Sequence, residues 1–330
     1  MATIDLTPYS LIWTGDKNKN DTSFLTSGFR GSLRWWYEAF VRGLGSYACD
    51  PVEQGCTLSL TRQEQQQVES ENSLETRAEK TKQIARQHIC PACYLFGCTG
   101  WKSRFILPRA REQQLRKGET YTYEIIERLG LPIEAPEWML LGLVAGFVTE
   151  HGSICAKNVL KPSEDTRNRN HKNTFAYRKK SHVDYGLCAL EIQPPPATPD
   201  TPTLTTFLKG FTTTGTNRPK WPDFRYFWYT ACSLDRLQIN TMVNRNRSGR
   251  YSGRASSLDR WMGGNNAPLE SKKIFSFHGV ETGGRATPRV WGYCQANKDG
   301  RAWLEEKWPG QAGQFSWGKE YLRTHGVNND

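Results

Sequence analysis

No apolar run in this chain of 330 residues is long enough to span a bilayer. The longest, WMLLGLVAGFV at 138–148, falls well short of the roughly 20 residues a spanning helix needs. The first residues, MATIDLTPYS, carry neither a basic flank nor an apolar leader region. Both absences argue against a membrane partner and predict a cytoplasmic protein. Catalytic signatures are missing too: there is no Walker loop, no HExxH pair and no GxSxG elbow. The histidines are few and scattered, in no recognisable nucleophile arrangement. Acid is also scarce, with 33 Asp+Glu against 44 Lys+Arg and a net charge of +11. Such an excess favours polyanionic partners, nucleic acid foremost. No internal repeat and no regular βαβ rhythm stand out, which predicts α+β domains rather than a doubly wound sheet.

What is present is unevenly placed. Nine cysteines, an odd count, read as reduced thiols or metal ligands rather than a disulfide framework. QPPPATPDTP at 193–202 is the clearest linker. It divides the chain into an N-terminal domain, 1–192, carrying a cysteine-rich insertion at 48–100, and a C-terminal domain, 203–330. TIDLTPYSLIWTG, YTYEIIERL and GLCALEIQ read as strands of the first half; FRYFWYTAC, KIFSFHG and PRVWGYCQ read as strands of the second. APEWMLLGLVAGFVTEHG reads as a helix apolar nearly all round, hence deeply packed. Residues 61–88 carry five acidic and five basic side chains and few apolar ones, so they predict an exposed, partly helical or mobile insertion.

The stretch TSGFRGSLRWWYEAFVRG at 26–43 poses a sharper question. From Gly31 onward, Leu33, Trp36, Tyr37, Phe40, Val41 and Leu44 recur at helical spacing and predict a buried stripe. Arg34, Glu38 and Arg42 fall on another face, where they support one another. Arg30, with Gly28 and Gly31 framing it, remains unexplained by packing. A helix N-terminus with free N–H groups, preceded by glycine and arginine, is a ready phosphate site.

Three constellations carry chemistry. In CPACYLFGC, Cys90 and Cys93 have the Cys-x-x-Cys spacing that brings two thiolates to one ion. Cys49 and Cys56 supply a second pair for tetrahedral zinc; Cys98 and His88 compete for a place. Its role would be structural, pinning the base of the polar insertion. Buried free cysteines are the plainer reading, and a redox motif lacks its βαβ unit. The second constellation is basic. Residues 161–182 hold seven Lys or Arg against two acids, and NRNRSGRYSGR at 244–254 holds four arginines and no acid. Arg167, Arg169, Arg178, Lys179, Arg245, Arg247, Arg250 and Arg254 thus suit a sugar-phosphate backbone, with interleaved aromatics for unstacked bases. A solvated charged loop is the alternative. The third is a possible catalytic set: Asp16 and Asp21 in the polar loop before the first helix, and His151. Satisfied or merely exposed side chains explain them as well.

Taken together, GFRGSLRWWYEAFVRG, YACDP and CPACYLFGCTGW resemble the RAMP proteins of type III CRISPR effectors, most closely the subunit-one family of the Cmr (type III-B) complex. WMLLGLVAGFVTEHGSICAK resembles the helix running into the RAMP glycine-rich loop. Gly152, Ala156 and Lys157 keep that loop's pattern, and Asp184, Tyr185, Gly186 and Leu187 resume it. Ser153 and Cys155 stand where glycines are expected, and the basic segment 158–183 is inserted within the loop. A Cβ there restricts positive φ and close approach to phosphate, and the inserted arginines and lysines would substitute. GGRATPRVWGY is similar to a late strand of these proteins, which adds Arg285 and Arg289 as secondary candidates.

The resemblance implies tandem ferredoxin-like (RRM-like) RAMP domains with a zinc-binding insertion. It implies a non-catalytic subunit that holds CRISPR guide RNA and recognises target RNA, beside other RAMP subunits, in an antiviral ribonucleoprotein. On that reading the helix packs its Trp36 side on a sheet, turns its Gly28–Arg34 end to RNA phosphate, and leaves Trp35 for a subunit contact. The cutting aspartate of backbone RAMP subunits lies after the first strand, where this chain has Asp16 and Asp21, so an endoribonuclease using either, or His151, is the alternative. A zinc-stabilised DNA-binding protein is a third, disfavoured because no basic recognition helix is evident.

Overall fold

A computed structural model describes all residues except 13, 15–22, 109–110, 157–183, 214, 235, 247–249, 267–268, 280–287, 311 and 328–330. In strand β1 (Ala2–Pro8), Ile4, Leu6 and Pro8 are buried and alternate with half-buried Thr3, Asp5 and Thr7, the pattern of a strand with one face on the core. It pairs antiparallel with β5 (Tyr121–Glu127) on one side and β6 (Cys188–Gln193) on the other. β3 (Phe105–Ile106) adds an edge, giving the order β3-β5-β1-β6. Helix α1 (Thr26–Gly43) follows β1, and α5 (Ala135–Glu150) joins β5 to β6. A small ribbon of β2 (Ser23–Leu25) and β4 (Arg111–Gln113) flanks the start of α1.

The second sheet contains β7 (Phe227–Thr230), β10 (Ile274–Phe277), β11 (Arg289–Tyr293) and β12 (Ser316–Trp317), in the order β10-β11-β7-β12. All its pairings are antiparallel. Helices α7 (Arg236–Met242) and α8 (Ser257–Gly263) lie between β7 and β10, and α9 (Gly300–Lys307) between β11 and β12. A ribbon of β8 (Asn265–Asn266) and β9 (Leu269–Glu270) sits between α8 and β10. Both four-stranded sheets thus repeat one connectivity. Their first strand runs between the fourth and the third, and their second lies at the far edge. No sequence repeat announced this.

The halves share a core. Phe227, Tyr229, Trp291 and Tyr293 belong to one cluster with Trp36, Phe40 and Phe147 of α1 and α5. Trp228 and Val290, one residue away on the same strands, and Ile274 of β10 belong to a second cluster with Ile239, Met262 and Trp303 of α7 to α9. The second sheet is therefore covered on both faces, and α1 and α5 lie between the two sheets. That position explains why both helices are apolar over more than one face. Trp36 packs 5.1 Å from Trp291 and 5.2 Å from Phe147. Trp35, expected at a subunit contact, instead meets Phe227 and Tyr293 of the same chain, each at 6.0 Å. Gly292 has no room for a side chain: a Cβ would lie 2.6 Å from the Trp228 ring.

Two features, the start of α1 and the linker, differ from expectation. α1 begins at Thr26, so Gly28, Arg30 and Gly31 lie within the helix rather than before it. Gly28 is there because Thr14 crosses the helix; a Cβ would stand 2.8 Å from the Thr14 carbonyl oxygen. The polar insertion forms a helical hairpin, α2 (Arg62–Glu69) and α3 (Leu74–His88), each opened by a capping box. The linker yields at Asp200, the N-cap of α6 (Thr201–Lys209), and α6 buries Leu204, Phe207 and Leu208 in the cluster centred on the first half. α10 (Gly318–Thr324) follows β12, its Tyr321 ring 5.2 Å from Phe147. Among the described residues, no helix is long and apolar enough to cross a membrane.

Candidate metal centre and nucleic-acid interface

Cys90 is the N-cap of α4 (Pro91–Phe96), with Pro91 at its first position, and one turn later comes Cys93. The loop after α1 carries Cys49 and Cys56 to the same place. The four sulfurs lie within 4.8 Å of one another. Cys49 Sγ is 3.3 Å from Cys93 Sγ and 3.7 Å from Cys90 Sγ. Tetrahedral zinc with Zn–S near 2.3 Å requires sulfurs about 3.8 Å apart. Backbone N–H groups of Cys49 and Cys90 point at Cys90 Sγ and Cys56 Sγ, each at 3.5 Å. Arg34 Nη2 donates to Cys93 Sγ at 3.1 Å. These donors suit thiolates. Hydrogen bonds from its three sulfur neighbours pull the Cys49 thiol down, and Cys56 and Cys93 are pushed up by the same contacts. A divalent cation is the partner that lets all four ionise together, so the residues fit zinc.

The alternative ligands fall outside this group. His88 Nε2 is 2.6 Å from Glu64 Oε1, fastening α3 to α2. Cys98 Sγ points to the Thr99 carbonyl at 3.6 Å. All nine cysteines are free of disulfides.

The arginines of α1 serve this centre. Arg34 also donates to Gly97 O and Glu38 Oε1, both at 2.7 Å. Arg42, 1 % exposed, donates to Ala48 O, Cys49 O and Pro222 O at 2.8–2.9 Å. Glu38 lies between them, and burial pushes its carboxyl up to about 7. The supporting face predicted for Arg34, Glu38 and Arg42 is real, buried at Glu38 and Arg42 and half-buried at Arg34. Arg34 is therefore engaged within the protein, and its expected reach toward an outside phosphate is lost. Arg30 keeps more freedom: it is half-buried, donates from Nη2 to Phe96 O at 3.3 Å, and is held below the usual arginine range by burial and by Arg34 and Arg128.

The segment at 244–254 sorts its arginines. Asn244 donates from Nδ2 to buried Asp259 at 2.8 Å, and the Arg245–Tyr251 bridge closes the loop. Arg245 lies 4.2 Å over the Tyr251 ring and donates to Gly264 O, so it is structural. Arg260 also lies against the ring, at 5.1 Å, which leaves little of Tyr251 for a base. Arg250 and Arg254 are exposed and available. Arg289 is 3 % exposed, and its Nη1 meets the carbonyls of Val148, Thr149 and Gly152 at 2.9–3.3 Å. Its secondary candidacy for RNA yields to a role in closing the end of α5. Lys157, Arg167, Arg169, Arg178, Lys179, Arg247 and Arg285 lie outside the described residues.

The loop after α5 is held from several sides. Trp36 Nε1 donates to Ser153 O at 2.8 Å, Trp291 Nε1 to Ser153 Oγ at 3.2 Å, and the Cys155 N–H to Ser32 Oγ at 2.9 Å. Cys155 adopts φ 50° despite its Cβ, a conformation glycine would take more readily. Gly186, at φ +93°, packs so closely that a Cβ would stand 2.4 Å from Ile154 O.

Of the catalytic candidates, Asp16 and Asp21 lie outside the described residues. His151 stacks on Tyr229 at 4.3 Å, and burial, with Arg289 and His325 nearby, holds its imidazole down to about 4. The outer face of the first sheet, half-buried along β1, offers no aromatic platform for bases among the described residues. Thr3, Asp5 and Thr7 pair with Glu124, Thr122, Gln193, Glu191 and Ala189 on that face, with no aromatic among them. RRM-type stacking on the sheet needs such aromatics.

No curated protein and no solved structure matches the chain. The sequence pattern of the RAMP superfamily matches residues 7–212, a span that takes in the end of β1, the other three strands of the first sheet, the four-cysteine centre and α6. With well over half of its length matched, the chain belongs to the RAMP superfamily.

Proposed function

We propose that this protein is a non-catalytic, guide-RNA-binding subunit of a type III CRISPR effector that recognises target RNA, nearest in kind to subunit one of the Cmr complex. The RAMP superfamily match over residues 7–212 carries the reading. RAMP proteins typically work in RNA-binding, multi-subunit complexes. The shared β-α-β-β-α-β connectivity of the two sheets supports tandem ferredoxin-like domains. Zinc in the four-cysteine centre would be structural, held by Cys49, Cys56, Cys90 and Cys93. Bound there, it would tie the loop after α1 to α4 and so hold the helical hairpin at its base. RNA would meet Arg30, Arg250, Arg254 and the basic segment 158–183, while the acidic sheet face stays clear of it.

Labelled single-stranded RNA tests this, incubated with the protein across a salt series with and without magnesium. The expected outcome is intact RNA in a strongly salt-sensitive complex. Cut RNA, abolished by changing Asp16, Asp21 or His151, would make the chain an endoribonuclease. Preference for duplex DNA would favour the DNA-binding alternative. Alanine at Arg167, Arg169, Arg178 and Lys179 should flatten the salt dependence, and an unchanged slope would remove that segment from the interface.

A further inference from the structure

A cleft of about 720 Å³ opens where the two halves meet, between the loop after α1, the end of α6, the start of β7 and α10. Its size falls within the range of small-ligand sites. Tyr47, Phe211 and Tyr226 supply aromatic walls, and Lys209, Arg225 and Lys319 supply cations. No carboxylate lines it among the described residues. Arg225 is already paired with Asp223 at 2.7 Å, but Lys209 and Lys319 are exposed and make no ion pair among the described residues.

The Tyr47 wall is built to hold its position. Gly215 lies flat on the ring, so that a Cβ there would stand 2.2 Å from Cζ. Asn217 takes Ser46 O and the Ala48 N–H at 2.8 and 3.2 Å, bracketing Tyr47 in sequence. Arg42 fixes the next carbonyls, Ala48 O and Cys49 O. Phe211 is set by Tyr94 and Phe207, each 5.2 Å away. Fixed aromatic walls beside two uncompensated ammonium groups match a planar base joined to a phosphate. Stacking on such a ring is tolerant of base identity, and lysine serves phosphate as a mobile point charge.

We infer that this cleft binds a nucleotide, with Tyr47 against the base and Lys209 and Lys319 on the phosphate. The inference rests on the nucleic-acid reading above for its ligand class, and it assigns the site to residues outside the basic loops. Either a free nucleoside monophosphate or one nucleotide of a bound RNA meets that chemistry.

Titration calorimetry on the full chain separates the sources, using adenosine 5′-monophosphate, uridine 5′-monophosphate, inorganic phosphate and a short single-stranded RNA. Saturable binding of a monophosphate, weakened about tenfold by Tyr47→Ala and lost in Lys209→Glu/Lys319→Glu, supports a site for the free nucleotide. Binding of RNA alone, weakened by the same changes, supports a site for one nucleotide of the strand. Monophosphates that fail to bind, with RNA affinity unmoved in the lysine variant, overturn the cleft. Arg250→Ala/Arg254→Ala is the companion variant. RNA binding that falls there but not in the lysine variant leaves the RNA-subunit reading standing without the cleft. If RNA does not bind at all, the RNA-subunit reading fails, and the monophosphate titration alone decides the cleft. Both lysines are exposed, so the variants keep the fold, and the wild-type titration needs no variant.

Discussion

The Arg34 guanidinium donates to Cys93 Sγ at 3.1 Å while its Nε holds Glu38 Oε1 at 2.7 Å. One side chain thus joins the four-cysteine centre to the helix between the two sheets. Its positive charge offsets part of the negative charge that four thiolates leave around a divalent ion. Replacing such an outer partner lowers metal affinity about 10- to 100-fold. Arg34→Gln should shift zinc transfer to a competing chelator by that factor, with one zinc per chain in the parent protein by elemental analysis. Equal retention in both would deny Arg34 this role, and no zinc in the parent would deny the centre.

Arg104 and Glu137 form an ion pair with neither side chain exposed to solvent. Arg104 also stands 4.5 Å over the Tyr94 ring of α4. Removing one partner of a buried pair leaves the other charge without compensation, at a cost of about 3–5 kcal/mol. Glu137→Ala should lower unfolding stability in urea by that amount. A loss below about 1 kcal/mol would mean that water or Glu134, 3.5 Å from Arg104, replaces the missing carboxylate.

Trp36 is 1 % exposed and touches both halves. Trp36→Ala should cost about 3–5 kcal/mol, the range for deleting a buried aromatic ring. Trp35, only partly buried, should cost less. Equal losses for the two, measured by urea unfolding, would contradict the placement of Trp36 between α5 and the second sheet.

His151 has a folded-state pKa of about 4, against an ordinary 6.5. Between those values the unfolded chain binds the proton more readily than the folded one. Stability conferred by the neutral imidazole is therefore full above pH 6.5 and is lost as pH falls toward 4. His151→Phe keeps a ring against Tyr229 and removes the titration. Melting temperatures across that interval should fall more steeply for the parent than for the variant, and parallel curves would rule the histidine out as their source.

Arg250 and Arg254 are exposed in the segment at 244–254. For single-stranded RNA, each phosphate that the protein ceases to neutralise reduces the slope of log affinity against log salt by about 0.7. The double alanine variant should therefore have a slope shallower by about 1.4, with little change in sequence preference. A parallel salt line would assign these residues to solvent.

Much of this was legible locally. Alternation in TIDLTP and YTYEIIE predicted β1 and β5, the Cys-x-x-Cys spacing and the upstream pair predicted the cluster, and helical spacing predicted the Leu33–Leu44 stripe. Each is set by interactions within a few residues or by the geometry of one ion. Local pattern misplaced the start of α1, because Gly28 reads as a breaker until Thr14 is seen crossing it.

What only the tertiary structure decided concerns partners far apart in the chain. Arg34, Arg42, Arg245 and Arg289 look alike in sequence as candidates for an anion, yet each guanidinium is taken by carbonyls, a carboxylate or a thiol of the protein itself. Trp35 looked free for another subunit until the second sheet covered it. Nor did any repeat disclose that both sheets share one connectivity, since backbone hydrogen bonds set strand order and different side chains satisfy them equally well. The sequence by itself determined which residues are apolar, charged or able to bind metal. The fold decided which charges stay outside, because a buried arginine must find its acceptors within the protein.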